Sequence, residues 1–202
     1  MSRYTGPKTR INRHFSLAIF PPNKAFERRN YLPGIHGPRL RRKVTEYGQG
    51  LCEKQKLRFL YGLTERQFRL TFARAKRASG VTGEIFLRLL EMRLDSVVYL
   101  AGLAKTRRAA RQMVNHGHVR VNGRGVDIAS SLCHAGDRIA IHPADGSRHL
   151  AMRSLEDTRY RSVPPWLQTD GDAITCSVLR DPTREEIGHT INERVIVEFY
   201  SR

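Results

Sequence analysis

The chain has 202 residues, with 36 Lys and Arg against 19 Asp and Glu, a formal net charge of +17, and 40% hydrophobic and 27% charged side chains. That length suits one large domain or two small ones, and the apolar share is enough for a core, which argues against wholesale disorder. No apolar run approaches the roughly 18 residues of a spanning helix, and the start Met1-Ser2-Arg3-Tyr4 lacks the apolar stretch of a secretory signal, so a membrane protein and a secreted disulfide scaffold are disfavoured.

The charge is uneven: residues 1–150 hold 29 basic and 10 acidic side chains, residues 151–202 hold 7 and 9. Such an excess repels itself, and a polyanion would relieve it. Nucleic acid fits best, because each phosphate neutralised also releases counterions. An anionic membrane would want a basic helix with a broad exposed apolar face, and the sequence offers no strong candidate. Cys52, Cys133 and Cys176 form no Cys-x-x-Cys pair. They read as reduced thiols of a cytosolic protein, acting as small buried hydrophobes rather than zinc ligands.

Residues 1–50 are rich in Arg, Pro and Gly, with Gly6-Pro7, Pro21-Pro22, Pro33-Gly34 and Gly37-Pro38 as turn signals and no sustained period. They read either as a disordered basic tail or as an arm that orders against phosphates; the interleaved Tyr4, Tyr31, His36 and Tyr47 favour the arm. Residues 51–79 read as helical. Thr64-Glu65-Arg66-Gln67 has the form of a capping box, Phe68, Phe72 and Ala75 follow at helical spacing, and Gly80 is a stop. Lys54, Lys56 and Arg58 lie on the preceding helix. Thr82 and Glu84 open another helix, with Ile85, Phe86, Leu89 and Leu90 as its apolar stripe.

Residues 92–142 are the most informative. Leu94, Val97, Val98 and Ala101 form a helical stripe that Gly102 can end, and Thr106 caps a second helix, Arg107 to His116, followed by Gly117. At about 100° per residue, Arg107, Arg108, Arg111, Gln112 and Asn115 share one face, and Ala109, Ala110, Met113 and Val114 the other. His118 to Val121 alternates as a strand, Asn122-Gly123 is a hairpin turn signal, Val126-Asp127-Ile128 is a short extended piece, and Arg138 to His142 alternates again. These loops are too short for parallel crossovers, so the strands are antiparallel. The corner aims Arg107, Arg108, Arg111, His118, Arg120 and Arg124 from a rigid base, with Arg120 and Arg124 extending the helix patch, and such arginines can fork onto phosphates with little entropy loss.

The pattern Arg93-Leu94-Asp95, Arg107, Ala110-Arg111-Gln112, Asn115-His116-Gly117-His118-Val119 and Val121-Asn122-Gly123, closed by Gly136-Asp137, resembles the small RNA-binding domain named after bacterial small-subunit ribosomal protein S-four. The same domain is appended to several enzymes, so the remaining residues decide. Pro33-Gly34-Ile35-His36-Gly37, Arg41-Arg42-Lys43 and Glu46-Tyr47-Gly48 resemble that family's basic arm; Glu53 to Arg58, Tyr61-Gly62 and Val81-Thr82-Gly83-Glu84 resemble its helices; and Pro164-Pro165-Trp166-Leu167, Pro182 to Ile187 and Val197 to Arg202 resemble its tail. Many members hold zinc with four cysteines near the N-terminus; with none before Cys52, this chain resembles the zinc-free form, so neither metal nor cofactor is expected.

The resemblance implies an α+β fold, in which a helical domain receives an inserted RNA-binding domain of two helices and a small antiparallel sheet. Residues 1–44 are then a basic arm, 45–91 the helical domain completed by 186–202, and 92–185 the insert, with its core at 92–142. In the tail, Val195, Val197 and Phe199 alternate like a strand while Asn192 could cap a helix; the resemblance favours the helix. It further implies a structural constituent of the small ribosomal subunit, cytoplasmic, that binds 16S-type rRNA at a multi-helix junction, nucleates assembly, and influences translational accuracy beside mRNA and the neighbouring ribosomal protein S-five. No membrane role and no obligate homo-oligomer are expected. The expected rRNA contacts are Arg39, Arg41, Arg42 and Lys43 as an arm, Lys54, Lys56 and Arg58 as one wall, and Arg107, Arg108, Arg111 and His118 as the other, with Arg120, Arg124 and the aromatic Tyr47 beside them; Tyr4 and Tyr47 each read equally as a stacking or a packing residue. The enzyme alternative is a pseudouridine synthase, whose catalytic Arg-Leu-Asp is similar to Arg93-Leu94-Asp95. Here the three lie in an amphipathic stretch, Asp95 reads as a structural ion pair, and no catalytic residue is assigned, His116 and His118 included. A stress-type RNA-binding module that rescues stalled large subunits would require neither the tail nor the Pro-Gly-His-Gly arm.

Overall fold

A computed structural model describes residues 4–29, 31–39, 45–171, 173–188 and 191–201. In chain order its elements are α1 (Lys8–Phe15), α2 (Lys24–Arg28), a 3-10 turn (Gly37–Arg39), α3 (Glu46–Leu60), α4 (Glu65–Arg77), α5 (Thr82–Glu91), α6 (Leu94–Leu100), α7 (Arg107–Asn115), β1 (Val119–Val121), β2 (Arg124–Gly125), β3 (Arg138–Ile141), α8 (Asp145–Thr158), β4 (Leu167–Asp170), β5 (Thr175–Val178) and α9 (Glu193–Ser201). The fold is α+β. Contacts divide it into two units, Met1–Ala73 with Thr190–Arg202, and Arg74–His189.

In the first unit, regular structure begins well before residue 51. Helix α1 has no apolar stripe to announce it. It is secured by Asn12, whose amide donates to the Phe20 carbonyl at 2.8 Å and accepts from the Phe20 N–H at 3.0 Å, closing a loop of irregular backbone. Such reciprocal bonding is what a buried polar side chain must find. Arg13 donates to the Tyr31 carbonyl at 3.0 Å and lies 4.7 Å over the Tyr31 ring. Tyr4 packs edge-on against Phe59 at 5.2 Å, the packing role rather than a free stacking surface. Helix α3 starts at Glu46, because the Thr45 hydroxyl accepts from the Gly48 N–H at 3.1 Å. At Gly50 a Cβ would sit 2.8 Å from the Phe199 ring, so glycine lets α9 lie close on α3. The tail is helical: the Asn192 side chain accepts from the Arg194 N–H, Ile196 is buried, and Tyr200 stacks on Phe72 at 4.6 Å. The alternation of Val195, Val197 and Phe199 marks no strand, since the buried contacts follow helical spacing from Ile196 to Phe199 and Tyr200. Leu57, Leu63 and Phe68 complete this core. The expected cap of α4 forms, with the Thr64 hydroxyl accepting from the Gln67 N–H at 3.4 Å.

In the second unit α5, α6 and α7 appear where the apolar spacing places them, and Thr106 caps α7 by accepting from the Ala109 N–H at 3.1 Å. The sheet is antiparallel throughout, in the order β2-β1-β3-β5-β4. Asn122 and Gly123 both take positive φ, 51° and 80°, the two-residue turn whose twist matches a hairpin. Because that turn returns the chain at once, the strand after it is Arg124–Gly125, and Val126-Asp127-Ile128 follows it rather than forming it. One sheet face carries Val119, Ile139, Ile141, Cys176 and Val178 into a core shared with Leu94, Val97, Val98, Ala110, Met113, Val114 and Trp166. Helix α8 and strands β4 and β5 were not legible as elements; β4 and β5 are four residues each and extend the same sheet. No helix among the described residues is long and apolar enough to cross a membrane.

Gly102 ends α6 with φ +77°, and a Cβ there would meet the Thr158 hydroxyl at 3.0 Å; that hydroxyl donates to the Gly102 carbonyl at 2.8 Å. Gly102→Ala therefore combines a left-handed backbone penalty with a displaced buried bond, and about 1–3 kcal/mol of stability should be lost in urea unfolding.

Candidate nucleic-acid interface

The α6–α7 corner is built around buried charge. Arg93 stands at the N-terminal boundary of α6 and grips Asp95 with two bonds, Nε to Oδ1 at 3.0 Å and Nη2 to Oδ2 at 2.7 Å. Both residues are about 5% exposed. Arg111 reaches the same carboxylate at 3.8 Å from α7, and Arg107 reaches the buried Glu91 at 3.6 Å while lying over the Tyr99 ring at 4.6 Å. Arg161 covers Tyr99 as well, at 4.2 Å. Asp95 is thus the ion-pair residue the sequence suggests, not an accessible nucleophile.

The arginine face of α7 is only partly open. The side chains of Arg107 and Arg111 are each only 14% exposed and are held by carboxylates. Arg108 is half-buried on the same helix, and Gln112 is exposed. His118 shares a 2.8 Å hydrogen bond with the Ser147 hydroxyl at the start of α8. The sheet register separates the two strand arginines. Arg124 pairs with Val121 and so lies on the side of the sheet that α7 covers, whereas Arg120 pairs with Ala140 and Gly125 on the opposite side. Arg120 does not extend the α7 patch.

In the other unit, Lys54 is 7% exposed; its ammonium donates to Glu65 at 3.0 Å and lies 5.3 Å and 5.9 Å from the Phe199 and Tyr200 ring centres. Burial raises the pKa of Glu65, but hydrogen bonds from Lys54 and Tyr200 and the charges of Lys54 and Arg58 outweigh it and hold the carboxyl below its ordinary 4.5. A depressed carboxylate contributes its stability fully above that ordinary value and loses it as pH falls through the folded value. Lys56 is bonded to Glu53 at 2.6 Å, and Arg58 to Gln55 at 2.6 Å. Arg39 is exposed at the end of the 3-10 turn, and Tyr47 is exposed, 5.3 Å from the Phe199 ring. Arg41, Arg42 and Lys43 lie outside the described residues.

Arg138, Arg148 and Arg153, which are not among the expected contacts, are all exposed. Arg138 stood in an alternating run that announced its face; Arg148 and Arg153 sit on α8, whose weak apolar pattern gave no signal. Among the described residues no three His, Cys, Asp or Glu side chains gather as a metal site. Burial pushes the Cys133 and Cys176 thiols up to about 12, so neither is a ready nucleophile. Removing Asp95 would strand Arg93 in the interior. Asp95→Ala should cost about 3–5 kcal/mol in urea unfolding, and Asp95→Asn, which keeps an acceptor, less.

Comparison with known proteins agrees with this geometry. The family described as Ribosomal protein S4/S9 N-terminal domain matches residues 3–91, and the S4 domain matches residues 92–139. The chain is 61% identical to the small ribosomal subunit protein uS4 of Opitutus terrae over 202 residues, 50% identical to that of Akkermansia muciniphila over 203, and 48% identical to that of Listeria monocytogenes over 202, in each case covering all of both chains. With an α7 corner of arginines on a matched S4 domain and full-length identity of this order, the chain belongs to the small ribosomal subunit protein uS4 family.

Proposed function

We propose that this protein is a structural constituent of the small ribosomal subunit in the cytoplasm and binds 16S-type rRNA directly, without catalytic turnover. The observation that carries this reading is the rigid α6–α7 corner, where Arg107, Arg108 and Arg111 share a helix and two of the three are fixed by buried carboxylates. A guanidinium already fixed in place surrenders little entropy when it meets a phosphate. Contacts are mainly to phosphate and sugar, so the shape of the RNA, rather than its base edges, sets specificity.

Arg107, Arg108, Arg111, His118 and Arg124 form one contact region. Lys56, Arg58, Arg39, Arg41, Arg42 and Lys43 form the other, carried by residues 1–44 and by the helical domain of 45–91 with 186–202, and the insert is 92–185; Tyr47, expected among them, lines a groove with Phe199 instead. Lys54 serves within as a strut between α3, α4 and α9. By preferring the native arrangement of a multi-helix junction, the protein shifts the RNA population toward it and so nucleates assembly of the subunit.

The reading extends to an influence on translational accuracy where mRNA enters. A groove of about 350 Å³ in the first unit is lined by Glu46, Tyr47, Glu198 and Phe199. Its carboxylates are wrong for RNA and suit a basic protein surface, which we assign to the neighbouring ribosomal protein S-five.

The test is binding to a transcript of the 5′ domain of 16S-type rRNA across a salt series. Arg107 and Arg111 are poor choices for substitution, since removing them would also break the buried pairs with Glu91 and Asp95. Arg108→Ala with Arg124→Ala leaves the Arg107–Glu91 and Arg111–Asp95 pairs in place. The double variant should bind about tenfold more weakly near 0.15 M salt, with a log–log salt slope shallower by about 1–2. An unchanged slope would remove these residues from the contact region, and a wild-type protein that ignored the transcript would sink the reading.

A further inference from the structure

We propose that the sheet face turned away from α7 is a second RNA-binding surface, one that takes the sugar–phosphate backbone of a segment other than the one held at the α6–α7 corner. This rests on the rRNA-binding reading and adds a surface to it. The register defines the face. Arg120, Ala140, Thr175 and Asp170 run across it in one row, and Arg138, Ser177 and Gln168 in the next. Their neighbours along each strand, Val119, Ile139, Cys176 and Val178, point into the core, so the two sets cannot share a side.

Three features give this face its chemistry. First, Ala140, Thr175, Ser177 and the edge Gly125 are small, which leaves a flat floor that a backbone can approach. Second, Arg120 and Arg138 stand on adjacent strands one register step apart, about 7–8 Å, close to the spacing of successive phosphates along an RNA strand. Third, among the described residues neither forms an ion pair, whereas Lys54, Lys56, Arg58, Arg88, Arg93, Arg107 and Arg111 each lie against a carboxylate. No carboxylate therefore competes with a ligand for either guanidinium. Asp170 sits at the far edge of the first row, where its carboxylate accepts from the Ala173 N–H at 3.1 Å, and that end is the less suited to phosphate. Anion binding should thus centre on the Arg120–Arg138 side.

The arrangement has a mechanical consequence. The sheet is a single layer, and α7 lies on its core side. RNA on both sides would make this unit a spacer between two RNA segments rather than a pad on one.

The experiment uses the full chain and the 5′-domain transcript. Arg120→Ala with Arg138→Ala should make the salt slope shallower by about 1–2 while leaving the melting temperature within a degree or two, and Arg120→Lys with Arg138→Lys should restore most of the slope. In a Cys52→Ser background, an iron chelate tethered at Gln168→Cys should cleave the RNA at positions separate from those cut from Gln112→Cys on α7. Slopes equal to wild type, no cleavage from position 168, or cleavage from both tethers at the same nucleotides would each overturn the proposal and leave the corner reading intact. If the alanine pair kept its slope but lost binding to a protein of the subunit, the face would belong to that protein instead. A wild-type chain that fails to bind the transcript would overturn both readings.

Discussion

A carboxylate 4% exposed to solvent is stable only when its charge is answered, and at Asp95 the answer organises the whole corner. Arg93 supplies two bonds from the chain just before α6, and Arg111 approaches from α7. The backbone around the pair is equally committed: the Leu94 N–H donates to the Ser131 carbonyl, Asp95 N–H to Ala129, and Cys133 N–H to Met92. The start of α6, the loop of residues 129–133 and the middle of α7 are thereby tied to one point. An apolar residue at 95 could fill the space, but it would set no direction for either guanidinium. The cost of burying charge here is offset by geometric definition.

The same logic sorts the cations of this very basic chain into two populations. Some are committed inward: Lys54 to Glu65 and two aromatic rings, Arg161 to the Tyr99 and Lys105 carbonyls. Others, such as Arg120, Arg124 and Arg138, have no ion pair among the described residues. Net charge predicts the kind of partner but cannot make this division. A lysine on a helix face reads identically whether it meets a phosphate or, like Lys54, a glutamate eleven residues on.

Legibility in the sequence followed the strength of the local signal. Helices α5, α6 and α7 were readable because their apolar spacing, Thr106 and the glycines at 102 and 117 all agree, and the Asn122-Gly123 turn was readable because positive φ at two successive residues has few other solutions. Helix α1 was not, because its anchor is one amide, Asn12, bonded to backbone eight residues away. The start of α3 was hidden by Gly48 and Gly50, which look like loop until Thr45 caps the first and Phe199 is brought against the second. The candidate contact residues are legible by type but not in direction. Arg120 and Arg124 are four positions apart, and simple alternation would put them on one side. The two-residue turn reverses the chain between them, and the hairpin register then places them on opposite faces.

That reversal bears on what a small sheet can contribute beside helices. An antiparallel sheet commonly buries one face and leaves the other wet. In a chain with no polyanion to bind, the wet face is usually of mixed charge and needs no explanation. Here the row Arg120–Ala140–Thr175 and the row Arg138–Ser177–Gln168 carry two cations and no carboxylate until Asp170 at the margin. Two arginines on a neutral floor, one half-buried and one exposed, contribute little to folding, since surface charges without partners neither fill the core nor neutralise one another. Their position gains meaning from a ligand that meets both at once, and a phosphate backbone has the charge and the repeat to do so.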